Sequence, residues 1–148
     1  MIKRFELFTT TITHIYKNLQ RIKLQEMTDI EFDLRGTHVM CLFQLNRHKE
    51  GLTVTQLSNL CGEDKAATSR TVSELTQKGL IIADNDKRYR APFLLTEQGQ
   101  LVADKIDAQA IQAVTAGSEG LTDEEREIFY KALTTISENL KNYSNEQP

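Results

Sequence analysis

Small polar and basic side chains recur on one face of a helix that the sequence predicts between Asp64 and Gly79. Residues spaced by one, four and five positions share one side of an α-helix. Small residues on such a face let the helix enter the major groove of DNA, where an arginine fork can bond guanine O6 and N7. The alternative is an ordinary solvated helix face. The residues at these positions are Lys65, Ala66, Ser69, Arg70 and Ser73.

A second group of cations stands in residues 87–92, which read KRYRAP. Lys87, Arg88 and Arg90 lie where the sequence predicts the tip of a β-hairpin. If this hairpin flanks the basic helix, the three cations can reach phosphates or an adjacent minor groove. A soluble loop is the alternative. Two cationic elements on the same expected side of one fold favour contact with double-stranded DNA.

The chain has a negative net charge, although one stretch of it is basic. The 148 residues carry a formal charge of −3. Residues 65–95 nevertheless hold six Lys or Arg against three Asp or Glu, whereas residues 96–148 hold four against ten. The positive charge is therefore confined to the stretch that contains both cationic groups, and the acidic total does not exclude a nucleic-acid partner.

Helical periodicity dominates the N-terminal part of the chain. Apolar residues at steps of three and four predict a long amphipathic helix over residues 2–24. A second helix is predicted from about Gly36 to His48, with no clear N-cap. The apolar stripe of the first helix comprises Phe5, Phe8, Ile12, Ile15, Leu19 and Ile22.

Local cap signals mark the two helices that follow. Thr53 and Gln56 form the capping-box pattern of a short helix, and Gly62 is placed to turn the chain after it. Asp64 is the predicted cap of the next helix, which should run to Lys78.

The periodicity then changes from that of a helix to that of a strand. Residues 80–83 and 91–95 predict the two strands of the hairpin. Pro92 has no N–H to donate to a sheet, so we expect its strand to lie at an edge. Thr96 is the predicted cap of a long helix that runs to about Ala116.

A last helix begins at a second capping-box pattern, Thr122 with Glu125. The first and last helices each carry an apolar stripe that a small winged unit cannot cover alone, so we expect both stripes to pack on a second copy. The stripe of the last helix comprises Phe129, Leu133, Ile136, Leu140 and Tyr143.

The predicted order is four helices, a hairpin and two helices. This fold class is mainly α with a small β-hairpin wing, in which a short helix, a tight turn, a second helix and the hairpin make a winged helix-turn-helix. We expect one chain unit over residues 1–148, with the DNA-binding region at 34–95. Residues 1–33 and 96–148 are expected to form a helical dimerisation region.

The stretch VTQLSNLCGEDKAATSRTVSELTQKGLI, followed by the charged hairpin and LLTEQG, resembles the MarR family of winged helix-turn-helix transcription regulators. The resemblance lies in Lys65, Ser69 and Arg70, in the segment LTQKGLI, and in Leu95-Thr96-x-x-Gly99. By motif it covers roughly residues 34–99, while the outer helices match in order and length alone.

The resemblance implies a homodimer that binds a pseudo-palindromic operator and is released by a small ligand, often aromatic, or by oxidation. It also places Ala67 on the recognition helix, and Asp86 with Arg88 in the family's acid-x-Arg pair of the wing. His14, Tyr16 and His38 are candidate linings of an effector site whose ligand the sequence does not identify. The predicted DNA-contacting residues are Thr55, Lys65, Ala66, Ala67, Ser69, Arg70, Ser73, Lys87, Arg88 and Arg90.

A thiol-based redox sensor and a metal sensor are the rival mechanisms. Cys41 and Cys61 lie beside apolar residues and away from obvious cations, whereas reactive thiolates need electropositive, accessible surroundings. His38 and Cys41 could share a helix face, but no histidine follows His48 to complete a ligand set. We therefore expect neither a metal nor a cofactor.

Two rivals come from other functional classes. An enzyme is not expected, because the sequence has no nucleophile elbow, glycine-rich phosphate loop or metal-ligand set. A winged helix that binds only a protein partner, as an adaptor, stays open because fold alone does not fix function. Without a secretory signal or a long apolar run, the chain is expected in the cytoplasm and not in a membrane.

Overall fold

The computed structural model describes residues 2–27, 32–86 and 90–146, except for the side chains of residues 2, 5, 20 and 23–27. Eight elements follow in the predicted order, which confirms a mainly helical fold with a two-stranded hairpin. None of the described helices is long and apolar enough to cross a membrane. The elements are α1 (Ile2–Met27), α2 (Gly36–Arg47), α3 (Val54–Cys61), α4 (Lys65–Gln77), β1 (Ile81–Ala83), β2 (Phe93–Leu95), α5 (Glu97–Gly117) and α6 (Asp123–Glu146).

The chain divides into two compact units, Met1–Ala113 and Val114–Pro148. The first unit holds α1 to β2 and most of α5, and α1 is three residues longer than its periodicity predicts. The second unit holds the last turn of α5 and all of α6.

Helix α2 lies at the centre of the first unit. Val39 and Leu42 are completely buried on its apolar face, and the helix contacts α1, α3, α4 and β2. Burying each such aliphatic side chain contributes about 1.5–3 kcal/mol. The core of this unit consists of Leu34, Val39, Cys41, Leu42, Leu45, Leu52, Leu57, Val72, Leu75, Leu80, Ile81, Val102, Ala103 and Ile106.

The predicted caps are present. The Thr53 hydroxyl accepts from the Gln56 N–H at 3.3 Å, and Gln56 Oε1 accepts from the Thr53 N–H at 2.9 Å. The Thr122 hydroxyl accepts from the Glu125 N–H at 3.2 Å in the same way. Because these bonds satisfy N–H groups that have no partner within the helix, they fix where α3 and α6 begin.

The hairpin is a two-stranded sheet with one further bridge to the residues before α3. β1 pairs antiparallel with β2, with Ile82 opposite Leu94. On the other side of β2, Phe93 exchanges both backbone hydrogen bonds with Leu52, at 3.1 and 2.8 Å. With two strands in the sheet, β2 lies at an edge as expected, and the bridge to Leu52 covers its outer side at Phe93 alone. Pro92 stands just before β2 and uses its carbonyl, which accepts from the Asp84 N–H at 2.8 Å, so the missing donor falls at the end of the ladder.

Gly99 lets the first turn of α5 contact the start of the hairpin. The Thr96 hydroxyl accepts from the Gly99 N–H at 3.0 Å, and the Thr96 N–H donates to the Leu80 carbonyl at 3.0 Å. A Cβ added to Gly99 would lie 1.8 Å from the Leu80 carbonyl oxygen, which is backbone and cannot rotate away. A glycine is therefore required at position 99, because the backbone of α5 approaches the backbone of Leu80 closely there.

We expect Gly99→Ala to lower the free energy of unfolding by roughly 1–3 kcal/mol, because the added methyl group forces α5 away from Leu80. Gly117→Ala is the matched control, since the same methyl group there meets no atom within 4 Å. It should leave stability unchanged or raise it by about 0.5–1 kcal/mol. Urea unfolding at one fixed protein concentration measures both, and equal stabilities of the two variants would contradict the contact.

Candidate nucleic-acid interface

A tight turn joins α3 to α4. Gly62 has φ of 68°, in the left-handed region that glycine adopts without strain. The Ser58 hydroxyl donates to the Glu63 carbonyl at 2.6 Å, and the Glu63 N–H donates back to the Ser58 carbonyl at 3.2 Å. These two bonds hold the turn closed, so the angle between α3 and α4 is fixed locally.

Asp64 begins α4 as predicted. Its carboxylate accepts from the Ala67 N–H at 2.8 Å, and its backbone carbonyl accepts from the Thr68 hydroxyl at 2.9 Å. A cap of this kind stabilises a helix by about 1 kcal/mol. The carboxylate also complements the positive end of the helix dipole beside the predicted contact residues.

The two faces of α4 differ as the spacing predicts. Thr68, Val72 and Leu75 are buried against the core, together with Thr71. Ala67 is half-buried at the edge between the two faces. Thr55, in the first turn of α3, is exposed. The structure thus brings together a row of exposed small and basic residues on α4, namely Lys65, Ala66, Ser69, Arg70 and Ser73.

Of the three cations predicted at the tip of the hairpin, Arg90 lies within the described residues. Arg90 is exposed and has φ of 49°, in the left-handed region that residues other than glycine adopt infrequently. On the other arm, the Asp86 N–H donates to the Asp84 carboxylate at 3.2 Å. Lys87 and Arg88, the other two predicted contacts of the wing, lie outside the described residues.

A polar cluster around the buried His38 joins α2 to α4, and its other members, Arg35 and Glu74, are partly exposed. His38 on α2 is 2% exposed, and its Nε2 lies 2.6 Å from Glu74 Oε2 on α4. Arg35, just before α2, forms an ion pair with the same carboxylate. Burial lowers the pKa of His38, while hydrogen bonds from His38 and Arg35 lower the pKa of Glu74. No local pattern signals this pairing, because 36 residues separate His38 from Glu74.

The three candidate effector residues lie in different places. Tyr16 lines a cleft of about 370 Å³ between α1, α2 and α3, while His38 lies in the polar cluster with Arg35 and Glu74. His14 lies on the exposed surface of α1, beside Thr10 and Lys17. The cleft that includes Tyr16 is lined further by Arg35, Gly36, Thr37, Met40, Cys61 and Glu63.

Neither cysteine has the surroundings of a reactive thiolate. Burial raises the pKa of the Cys41 thiol to about 12 and that of Cys61 to about 11. Both side chains are therefore neutral thiols near pH 7, which disfavours redox sensing through them. Within residues 2–27, 32–86 and 90–146, no group of three or more His, Cys, Asp or Glu side chains could hold a metal ion.

Comparisons with known proteins match the same region. A model of the MarR family matches residues 32–88. A curated relative, the HTH-type transcriptional regulator KipR of Bacillus subtilis (strain 168), is 38% identical over 72 residues. That alignment covers 49% of this chain and 29% of KipR, so the chain spans less than a third of the length of this relative.

Solved structures share the fold over nearly all of the chain. A putative MarR family transcriptional regulator from Listeria monocytogenes, complexed with 26mer DNA, has a TM-score of 0.82 at 20% identity and covers 90% of this chain and 89% of its own. A MarR transcriptional regulator from Methanosarcina mazei Go1 has a TM-score of 0.79 at 20% identity, with coverages of 93% and 92%. At these identities the likeness establishes the winged helix-turn-helix fold.

We expect iodoacetamide to alkylate Cys61 slowly at pH 7.5. A pKa of about 11 in place of 9.0 leaves about 100-fold less thiolate than an ordinary cysteine has at this pH, and the rate should rise about tenfold per pH unit toward pH 11. Mass spectrometry of the intact 148-residue chain over time measures this rate, with glutathione as the reference thiol. Alkylation as fast as that of glutathione would show an activated thiolate and restore the redox alternative.

Proposed function

We propose that this chain is a sequence-specific, DNA-binding transcription regulator of the MarR family, whose model matches residues 32–88. The observation that carries the proposal is the exposed face of α4, where Lys65, Ser69 and Arg70 stand on a helix whose opposite face is fixed to the core. The DNA-bound regulator of the same fold from Listeria monocytogenes supports it.

Helix α4 is the proposed recognition helix. Arg70, near its middle, bonds a guanine in the major groove, and Ser69 and Ser73 reach neighbouring bases or phosphates. Lys65, at the start of the helix, neutralises a phosphate. Ala66 and Ala67 leave room for the backbone of the helix to approach the bases.

The hairpin and α3 add contacts around the recognition helix. Arg90, with the predicted Lys87 and Arg88, binds phosphates or the minor groove beside the site of α4. Thr55, exposed at the start of α3, bonds a phosphate across the groove. These contacts set the orientation of the protein on DNA, while Arg70 supplies the discrimination between sequences.

A homodimer on a pseudo-palindromic operator is the proposed working form. Leu7 and Ile15 of α1 are 68% and 43% exposed in the single chain, and Leu140 and Tyr143 of α6 are 58% and 62% exposed. Apolar rows of this kind favour burial against another protein surface. Two recognition helices related by a two-fold axis would read half-sites about one helical turn of DNA apart.

A small aromatic ligand that relieves repression fits the cleft between α1, α2 and α3. Tyr16 and Met40 give this cleft aromatic and apolar walls, and Arg35 can pair with a carboxylate or phenolate. The cleft contacts the start of α2, which leads into the helix-turn-helix. A ligand there can change the position of α1 relative to α3.

Selection of duplexes from a random pool tests the proposed function. The 148-residue chain should enrich a pseudo-palindromic sequence at pH 7.5. Its affinity for the enriched duplex should exceed that for a scrambled duplex by about 10³-fold or more, as is typical of specific binders. Enrichment of no sequence, with equal weak binding to both duplexes, would reject the proposal in favour of a protein-binding winged helix.

Arg70→Ala should cost roughly 1–3 kcal/mol in binding to the selected duplex and reduce discrimination against a changed guanine. Lys105→Ala is the matched control, because it also removes one exposed cation but lies on α5, outside the winged segment. The control should bind within about twofold of the parent chain. Fluorescence anisotropy measures all three proteins, and equal losses in the two variants would show that Arg70 reads no base.

Leu140→Glu should convert the dimer into a monomer, because a charge buried in an apolar interface costs several kcal/mol and a two-fold axis counts it twice. Asn142→Glu, on the opposite and exposed face of α6, is the control and should stay dimeric. Light scattering after size-exclusion chromatography gives the masses. A dimeric Leu140→Glu variant would remove α6 from the interface.

A further inference from the structure

A buried histidine connects the start of α2 to the recognition helix. The Arg35 N–H, at the N-cap of α2, donates to His38 Nδ1 at 3.0 Å. Since Nδ1 accepts this bond, the ring proton is on Nε2, which donates to Glu74 Oε2 at 2.6 Å. The neutral His38 ring in this tautomer therefore accepts a hydrogen bond from the Arg35 N–H and donates one to Glu74.

Glu74 lies close enough to Arg70 on α4 to affect the availability of that arginine for DNA. Glu74 is the one acidic residue in the sequence of α4, and it stands one turn after Arg70. At that spacing a free carboxylate can pair with the arginine and compete with guanine for it. Arg35 and His38 bind the carboxylate from the α2 side and so hold it away from the proposed DNA-contacting face.

Burial and two nearby cations disfavour the protonated form of His38, whereas Glu74 favours it. Arg35 stands on one side, Glu74 lies on α4, Lys78 directly follows α4, and Asp33 lines the same cleft of about 330 Å³. Burial is the largest effect on the pKa of His38 and lowers it; Glu74 opposes the shift, and Arg35 and Lys78 add to it. A protonated ring would also lose the Nδ1 lone pair that accepts from Arg35, and so favours leaving its buried position.

We propose that His38 is a positioning residue for DNA binding: its neutral, buried imidazole fixes α4 to the start of α2 through Glu74, so that protonation of the ring weakens binding. The inference rests on the proposed function, since it concerns the same recognition helix. It adds a residue with no DNA contact of its own to those that determine affinity, and it makes that affinity dependent on pH.

The direction of the pH effect distinguishes this role from general electrostatics. Because the pKa of His38 in the folded chain is lowered, its contribution to the folded arrangement is complete above about pH 6.5, its ordinary value, and is lost as pH falls below it. Added protons otherwise make the protein more cationic and strengthen binding to phosphates. A loss of affinity on acidification is therefore opposite to the nonspecific effect.

The test measures the dissociation constant for the selected duplex between pH 5.0 and 8.0, at constant ionic strength, by fluorescence anisotropy. The parent chain should bind about fivefold or more weakly at pH 5.0 than at pH 7.5, within the usual range of coupling between sites. His38→Gln keeps a neutral donor and acceptor and should lose this dependence. His48→Gln removes a histidine that contacts Glu50 instead of α4, and should keep it.

Glu74→Gln tests the role of His38 through the pH at which DNA affinity falls, a quantity that a merely structural role would leave unchanged. Without the carboxylate, the favourable effect of Glu74 on the imidazolium disappears, so the acid limb of the profile should shift to lower pH. Nitrogen NMR of the parent chain checks the geometry without any variant. At pH 7.5 the ring of His38 should be neutral and protonated on Nε2.

Distinct results overturn the inference and the proposed function. An affinity that rises or stays constant on acidification, a profile abolished by His48→Gln, or a ring protonated on Nδ1 at pH 7.5 would each remove the role of His38. Specific binding at pH 7.5 with any of these results would leave the proposed function intact. Failure to bind any selected sequence at pH 7.5 would reject both.

Discussion

The burial of α2 is the constraint on which the rest of the winged unit depends. Val39 and Leu42 are fully enclosed, so α1, α3, α4 and β2 must all contact this one helix. Each of these elements has one face committed to α2, which determines the residues that remain outside. The exposed row on α4, with Lys65 and Arg70, is a consequence of the burial of Val72 and Leu75 on the other side.

The chain has a net negative charge, but the stretch of residues 65–95 is basic. The basic residues of the proposed interface lie on α4 and the hairpin. Glu74, the one acidic residue in the sequence of α4, is bound by Arg35 and His38 from the side of α2. The pairing costs desolvation, since His38 is 2% exposed. The burial of His38 makes its contact with Glu74 sensitive to protonation, whereas an exposed ion pair such as that of Arg126 with Asp123 contributes little to stability.

Much of the fold and of the candidate site was predictable because its signals are local. Capping by Thr53 and Asp64 acts within three residues, and the periodicity of α4 alone separates its buried face from its exposed face. Contacts between distant segments were not predictable in this way. Phe93 forms a bridge with Leu52, about forty residues earlier, which no pattern around Pro92 could reveal.

The sequence by itself determined the order of the elements, the caps of α3, α4, α5 and α6, the composition of the exposed row on α4 and the apolar stripes of α1 and α6. These follow from interactions between residues three or four positions apart, whose geometry every helix shares. The tertiary structure alone decided that Gly99 touches the Leu80 carbonyl and that His38 meets Glu74. Such contacts require helices and strands to be packed at particular distances, and that packing is set by the shape of the whole core.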